Sequence, residues 1–309
     1  MSARAIGLAL ALLGCEELTA GTSHFPDQID GGVADGGRRE AGAGEADAGA
    51  TSLVGRWVLF VEGPQCMSAI GTQVENLVWN FYLLDVLEEG DAGDGARALR
   101  ERLKICRGEL SPLVGGLRST VPDTVADALE PRDTSAYVLG DDVGAPYLGS
   151  EFVDYWGMAA IGADAVPPTA VDDPRVTDAD GDGEPGVTFV TTNGLGEPVC
   201  EVRVAQRTRV RVEGVREAPG RFAGVAAVRV DQSVLDATSP LCRAGADIVP
   251  SPTPGHFVML RVDGRGGAPL NLDLDGDGQV ECDELRSSLA VIEEMGAVNR
   301  STPDNAACR

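Results

Sequence analysis

Histidine and lysine are nearly missing from this chain: His24 and His256 are the two histidines, and Lys104 is the sole lysine. A Ser-His-Asp type of triad takes a general base beside its nucleophile. With His256 alone outside the N-terminal segment and no GxSxG elbow, the sequence offers no such site. There is no Cys-x-x-Cys and no Cys/His cluster, so zinc and dithiol redox centres are not expected. DGRGGAP, starting at Asp263, has the glycines of a phosphate loop but not its Lys-Ser/Thr. Nor is there an apolar run of about 20 residues, the length that crosses a bilayer as a helix. Positive charge is scarce as well, with 25 Lys+Arg against 49 Asp+Glu and a net charge of −24. A field of that sign repels nucleic acid and anionic lipid and attracts divalent cations. The expectation is a protein without a nucleic-acid partner and without enzymatic activity. A carbohydrate-active enzyme stays as an alternative, because so acidic a chain can hide a carboxylate pair that no motif marks.

What is present begins at the N-terminus. MSARAIGLALALLGC has a cationic Arg4, a short apolar run over 5–13, then Gly14 and Cys15. That is the layout of a signal peptide. Leu12-Leu13-Gly14-Cys15 resembles the lipobox of bacterial lipoproteins. The resemblance implies lipidation of Cys15, cleavage before it, and an exported protein held at the cell envelope, in the outer membrane or at the cell surface, by a lipid anchor. An ordinary signal peptide is the alternative. Residues 16–50 are Gly, Ala, Asp and Glu with almost no apolar side chains; they cannot bury enough surface to offset ordering entropy, and they read as a flexible tether. Seven cysteines are an awkward number for an exported chain. Setting Cys15 aside leaves Cys66, Cys106, Cys200, Cys242, Cys282 and Cys308, enough for three disulfides. Connectivity stays open; nearest-neighbour pairing, Cys66–Cys106, Cys200–Cys242 and Cys282–Cys308, is the simplest expectation.

Residues 51–270 read as one antiparallel β domain, with strand-like runs separated by Gly, Pro and Asp clusters. The clearest run, 199–212, puts Cys200, Val202, Val204, Val210 and Val212 on one face. Arg203, Arg207, Arg209 and Arg211 fall on the other and read as a solvated face. Further strands are expected at 54–61, 78–87, 99–107, 136–140, 152–158, 187–192, 221–230 and 257–262. EEGDAGDG suits a hairpin tip, in preference to a helix started by a Thr72-x-x-Glu75 capping box. Short helices are expected over 123–129 and 283–295. The expected fold class is therefore mainly β, an antiparallel barrel or sandwich with one or two short helices and a C-terminal loop plus helix in 271–309.

That loop, 273–284, carries the strongest chemical signal. Calcium takes about six to eight oxygens. Asp273, Asp275 and Asp277 supply carboxylates at alternate positions, Gln279 a backbone carbonyl, and Glu284 a carboxylate able to bind through both oxygens. Gly278 sits where the chain must turn sharply. The pattern resembles an EF-hand calcium loop, and Ca2+ is the cofactor this implies. The segment before it reads as strand and Gly-rich turn instead of a helix, which argues against a sensor that swings open. A second Asp-rich loop, within 172–186, repeats the opening with Asp178, Asp180 and Asp182 but has Phe189 where a final glutamate is needed. Asp172 or Asp173 are candidates to complete it. DDPRVTDADGDGEPGVTF is similar to a segment of uncharacterised lipoproteins of myxobacteria and related deltaproteobacteria, which implies location and a β-rich body. Gly55-Arg56-Trp57 with Arg261 resembles the calycin barrels, in which a first-strand tryptophan packs against a last-strand arginine; this implies an interior able to take a small apolar ligand. His256 reads as structural.

The functional expectation is a calcium-binding, lipid-anchored envelope protein with a structural or binding role. A calycin-like carrier of a small ligand is the alternative, and an envelope partner is left undefined.

Overall fold

A computed structural model describes residues 52–69, 72–113, 116–162, 164–244 and 248–308. The expected signal peptide, Cys15 and the 16–50 tether lie outside the described residues.

Twelve strands form one antiparallel sheet. β1 (Gly55–Ala69), β2 (Thr72–Gly93) and β3 (Ala96–Leu110) are long neighbours, and β9 (Pro198–Ala218) with β10 (Arg221–Ala237) make a second long hairpin. β12 (Gly255–Arg261) joins β10 to β1. β5 (Arg132–Leu139) and β6 (Pro146–Gly149) join β3 to β9. The pairings therefore return to their start, and the sheet is ring-like, with opposite walls facing each other across a core as in a sandwich. β4 (Arg118–Thr120), β7 (Phe152–Trp156), β8 (Val187–Thr192) and β11 (Ile248–Pro250) add short pairings to β3, β9 and β1. β4, β6 and β11 were not expected from the sequence. All the expected strands are present.

Period-two alternation decides which side chains enter the ring. Trp57, Leu59 and Val61 of β1, Tyr82 and Leu84 of β2, and Val204, Val210 and Val212 of β9 share one interior core. Trp57 is fully buried, its N–H donates to the Leu53 carbonyl at 3.0 Å, and the Arg261 guanidinium lies 5.8 Å from its ring centroid. Arg261 also donates to the carbonyls of Ser52 and Val54, each at 2.7 Å. The Trp57–Arg261 contact thus exists, and Leu53 is buried in the same interior core.

On β1, β2 and β12 the opposite face is buried too. Val58, Phe60, Leu77, Phe81, Leu83 and Leu260 form an outer core with Leu272, Val280, Leu285 and Ile292 of the C-terminal segment. The tip between β2 and β3 is the expected hairpin, with Asp94 (φ 52°) and Gly95 (φ 75°) in a two-residue turn. α1 (Asp123–Ala128) lies within the expected 123–129 span, and α2 (Pro240–Ala244) is a short addition. The expected helix over 283–295 is divided into α3 (Cys282–Ser287) and α4 (Leu289–Glu294). Ser288, which caps both, is only 5% exposed, and Leu285 and Ile292, seven residues apart, both lie in the outer core.

Two expected disulfides are corrected. The bonds are Cys66–Cys308, Cys106–Cys282 and Cys200–Cys242; only the last follows nearest-neighbour order. The C-terminal segment folds back over the outer face of β1–β3, so Cys282 and Cys308 meet cysteines of those strands instead of each other. Three disulfides belong to an oxidising, extracytoplasmic environment. Among the described residues no helix is long and apolar enough to cross a membrane.

The arginine row of β9 is also corrected. Arg207 is 5% exposed and pairs with Asp231 at 2.7 Å, and Arg203 pairs with Asp236 at 2.9 Å. Arg207 is buried beneath the loop carrying Met158 and Ile161, while Arg203, Arg209 and Arg211 are half-buried and ion-paired instead of fully solvated.

Candidate metal centres

The two Asp-rich loops fold alike. In the first, Asp273 Oδ1 accepts the Gly276 N–H at 2.8 Å, Asp273 Oδ2 the Gly278 N–H at 3.0 Å, and Asp277 Oδ1 the Gln279 N–H at 2.8 Å. In the second, Asp178 Oδ1 accepts from Gly181 at 2.8 Å, Asp178 Oδ2 from Gly183 at 3.0 Å, and Asp182 Oδ1 from Glu184 at 2.8 Å. The glycines make this possible: Gly276 and Gly278 have φ of 78° and 88°, Gly181 and Gly183 of 74° and 87°. A side chain at these positions strains the backbone. The shared DxDGDG therefore encodes one local shape twice.

That shape gathers carboxylates. Oxygens of Asp273, Asp275 and Asp277 lie within 4.8 Å of one another, as do those of Asp178, Asp180 and Asp182. Three hard oxygen donors so close, with no thiolate or imidazole, match a hard divalent cation such as Ca2+ or Mg2+ over zinc or copper. In the second loop, Asp180 Oδ1 is buried without a hydrogen-bond partner. Burial, with added repulsion from Asp182 and Asp178, holds the Asp180 carboxyl above its ordinary range. A cation between the three relieves both.

The completing residues differ. Glu284 is not gathered with the three aspartates; its carboxylate accepts N–H groups of Leu274 at 2.6 Å, Glu281 at 2.9 Å and Asp275 at 3.4 Å. Those bonds, led by Glu281, hold it below its ordinary range, and Glu281 and Glu284 cap α3 reciprocally. Glu284 thereby closes the loop on its own backbone. In the second loop Asp173, which with Asp172 was a candidate to complete the site, is engaged by an arginine. Both its oxygens are taken by Arg175 at 2.9 and 2.6 Å, which drives its pKa down to about 2. Thr188 takes part instead: its N–H donates to Asp180 at 2.7 Å and its hydroxyl to Asp182 at 2.6 Å. Phe189, in the place of a final glutamate, packs against the interior core.

The first loop is pinned to the ring from several sides. Val280 is 3% exposed in the outer core, Arg56 pairs with Asp85 and donates to the Val280 carbonyl, and Cys282 is bonded to Cys106 of β3. Beyond it, buried carboxylates anchor the C-terminal strap. Glu62 accepts the Trp79 indole N–H at 2.7 Å and the Ser301 N–H at 2.9 Å, and faces His256 Nδ1 at 3.2 Å. Burial raises the Glu62 carboxyl, but His256, Ser301 and Trp79 outweigh it and leave it below its ordinary range. Arg300 stacks 4.5 Å from the Trp79 ring and pairs with Glu109 and Glu293. His256 thus has a partner, Glu62, that sequence spacing did not name.

Comparison of the chain with protein-family models, with curated proteins and with solved structures finds no match.

Proposed function

We propose that this is a calcium-binding protein of the cell envelope, lipid-anchored through Cys15, whose β domain is held rigid by metal and disulfide clamps and serves a structural or binding role outside the cytoplasm. The observation that carries this reading is the repeated DxDGDG shape, gathering three carboxylates within 4.8 Å at two places. The C-terminal copy is bolted to the ring through Cys106–Cys282. Supporting it are three disulfides and a net charge of −24, which draws divalent cations towards the surface. A loop so pinned does not open on metal binding, so the metal acts as a clamp and not a switch. The affinity expected of extracellular calcium modules is about 10⁻⁴–10⁻³ M.

Calorimetric titration of the full chain with CaCl2 tests the reading. Calcium binding is expected, with one site lost in Asp275→Asn and the other in Asp180→Asn. Absence of binding heat, together with a melting temperature unmoved by EGTA, rejects the proposal.

A further inference from the structure

The end of the ring opposite Trp57 is not packed solid. Between β1, β2, β9 and β10 lies a cavity of about 230 Å³. For scale, an apolar cavity of about 150 Å³ takes up a benzene. Its walls include Leu110, Phe189, Val202, Val230 and Ile248, with the Cys200–Cys242 bond at one side. Among the described residues no charged side chain lines it, in a protein whose net charge is −24. A site for an ionic ligand carries a counter-charge; this one carries carboxamides. Gln65 and Asn76 are cross-strand partners on β1 and β2, and Gln206 and Gln232 are cross-strand partners on β9 and β10.

These amides are costly to place in an apolar wall unless something bonds to them. Gln206 donates to Thr208 at 2.8 Å, and Asn76 donates to the Ser111 carbonyl at 3.3 Å. Three other groups of the wall are unmatched among the described residues. Gln65 Nε2, Asn80 Oδ1 and Trp156 Nε1 are buried with no hydrogen-bond partner, in residues 4%, 2% and 4% exposed. Two are donors and one is an acceptor. The sequence alternation points the same way: Asn76 and Asn80 are in phase with Val78 and Tyr82, where a core needs only apolar residues. Their amides sit in the wall of a cavity wide enough for an organic molecule.

We infer that this end of the ring is a binding site for a small uncharged amphipathic molecule, an aromatic or short aliphatic compound carrying a hydrogen-bonding group. The apolar wall supplies the burial, the carboxamides and the Trp156 indole read the polar group, and the uncharged lining among the described residues disfavours ions. The expectation of a purely apolar ligand is thereby sharpened, and the inference stands independently of metal binding at the Asp loops.

The test uses the full chain with Cys15→Ser, so that no acyl group contributes, and three molecules of one shape. N-phenyl-1-naphthylamine is neutral and has one N–H; 8-anilino-1-naphthalenesulfonate adds a negative charge; 1-benzylnaphthalene replaces the amine by a methylene. Expected is a saturable fluorescence rise with the neutral amine at one molecule per chain, with energy transfer from tryptophan. The sulfonate binds at least about tenfold more weakly, and 1-benzylnaphthalene competes at least about fivefold more weakly. Val78→Trp and Val230→Trp, filling the cavity from different strands, each abolish the signal while the melting transition persists. No saturable rise, equal binding of the sulfonate, equal competition by 1-benzylnaphthalene, or a signal unchanged in folded cavity-filled variants overturns the inference. If neither variant folds, the three-molecule comparison on the parent chain decides.

Discussion

Inside the ring the most consequential single residues are two carboxylates on otherwise apolar faces. Glu101 is in phase with Leu99 and Leu103 of β3, is 1% exposed, and accepts the Tyr147 hydroxyl at 3.0 Å. Burial raises its pKa from 4.5 to about 7, the tyrosine bond offsetting part of the effect. Between those values the folded state keeps a proton that the unfolded chain has released, so stability declines as pH rises from 4.5 to about 7 and is level above. Glu101→Gln keeps an acceptor for Tyr147 and removes the titration. It is expected to raise the melting temperature at about pH 8, by at most about 3 kcal/mol of stability, and to change little at about pH 4. Equal effects at both pH values contradict the assignment. Asp154, in phase with Phe152 and Trp156, is the companion case, taking the Tyr82 hydroxyl at 2.9 Å and pairing with Arg132. Both residues break an apolar period in the sequence, a signal that the sequence reading above did not single out. Their partners were not legible, because Tyr147 and Arg132 come from strands whose pairing the local pattern does not state.

Secondary-structure elements were read from the sequence unevenly, for a physical reason. Long strands such as β1, β2, β9 and β10 alternate over many residues, so the period emerges; β4, β6 and β11 span 3, 4 and 3 residues, too few to show one. The Asp loops were legible because their shape is made locally, by an aspartate bonding N–H groups three and five residues on. Disulfide connectivity failed where closure is remote: Cys106–Cys282 and Cys66–Cys308 span 176 and 242 residues. The cavity was missed residue by residue for the same reason, since its amides converge only when the ring closes. The Cys106–Cys282 bond ties the C-terminal Asp loop to β3, so replacing both cysteines by serine is expected to cost about 2–4 kcal/mol in denaturant unfolding. It is also expected to weaken calcium binding at the loop, because the ordering that the bond supplies must then come from the metal. A calcium titration matching that of the parent protein argues that the bond and the metal site are uncoupled.

Across the whole molecule, two opposing electrostatic effects act on one surface. A net charge of −24 stores repulsion in the folded state, and both Asp loops add to it locally. General screening and specific occupancy each relieve this repulsion, but by different rules. Sodium chloride acts through a screening length of about 8–10 Å near physiological ionic strength and does not distinguish the Asp loops from the rest of the surface. A bound divalent ion acts at the loops alone and stabilises in proportion to the logarithm of its concentration over its dissociation constant. Magnesium, which gives up water reluctantly and requires near-octahedral geometry, suits a pair of pre-shaped, carboxylate-rich loops less well than calcium. At matched ionic strength, then, the melting temperature of the chelated protein is expected to rise least with sodium chloride, more with magnesium and most with calcium. Asp275→Asn and Asp180→Asn should narrow the gap between calcium and sodium while leaving the sodium response in place. If calcium and sodium raise the melting temperature equally, the loops respond only to screening, and the stability of this acidic ring rests on its two cores and its disulfides.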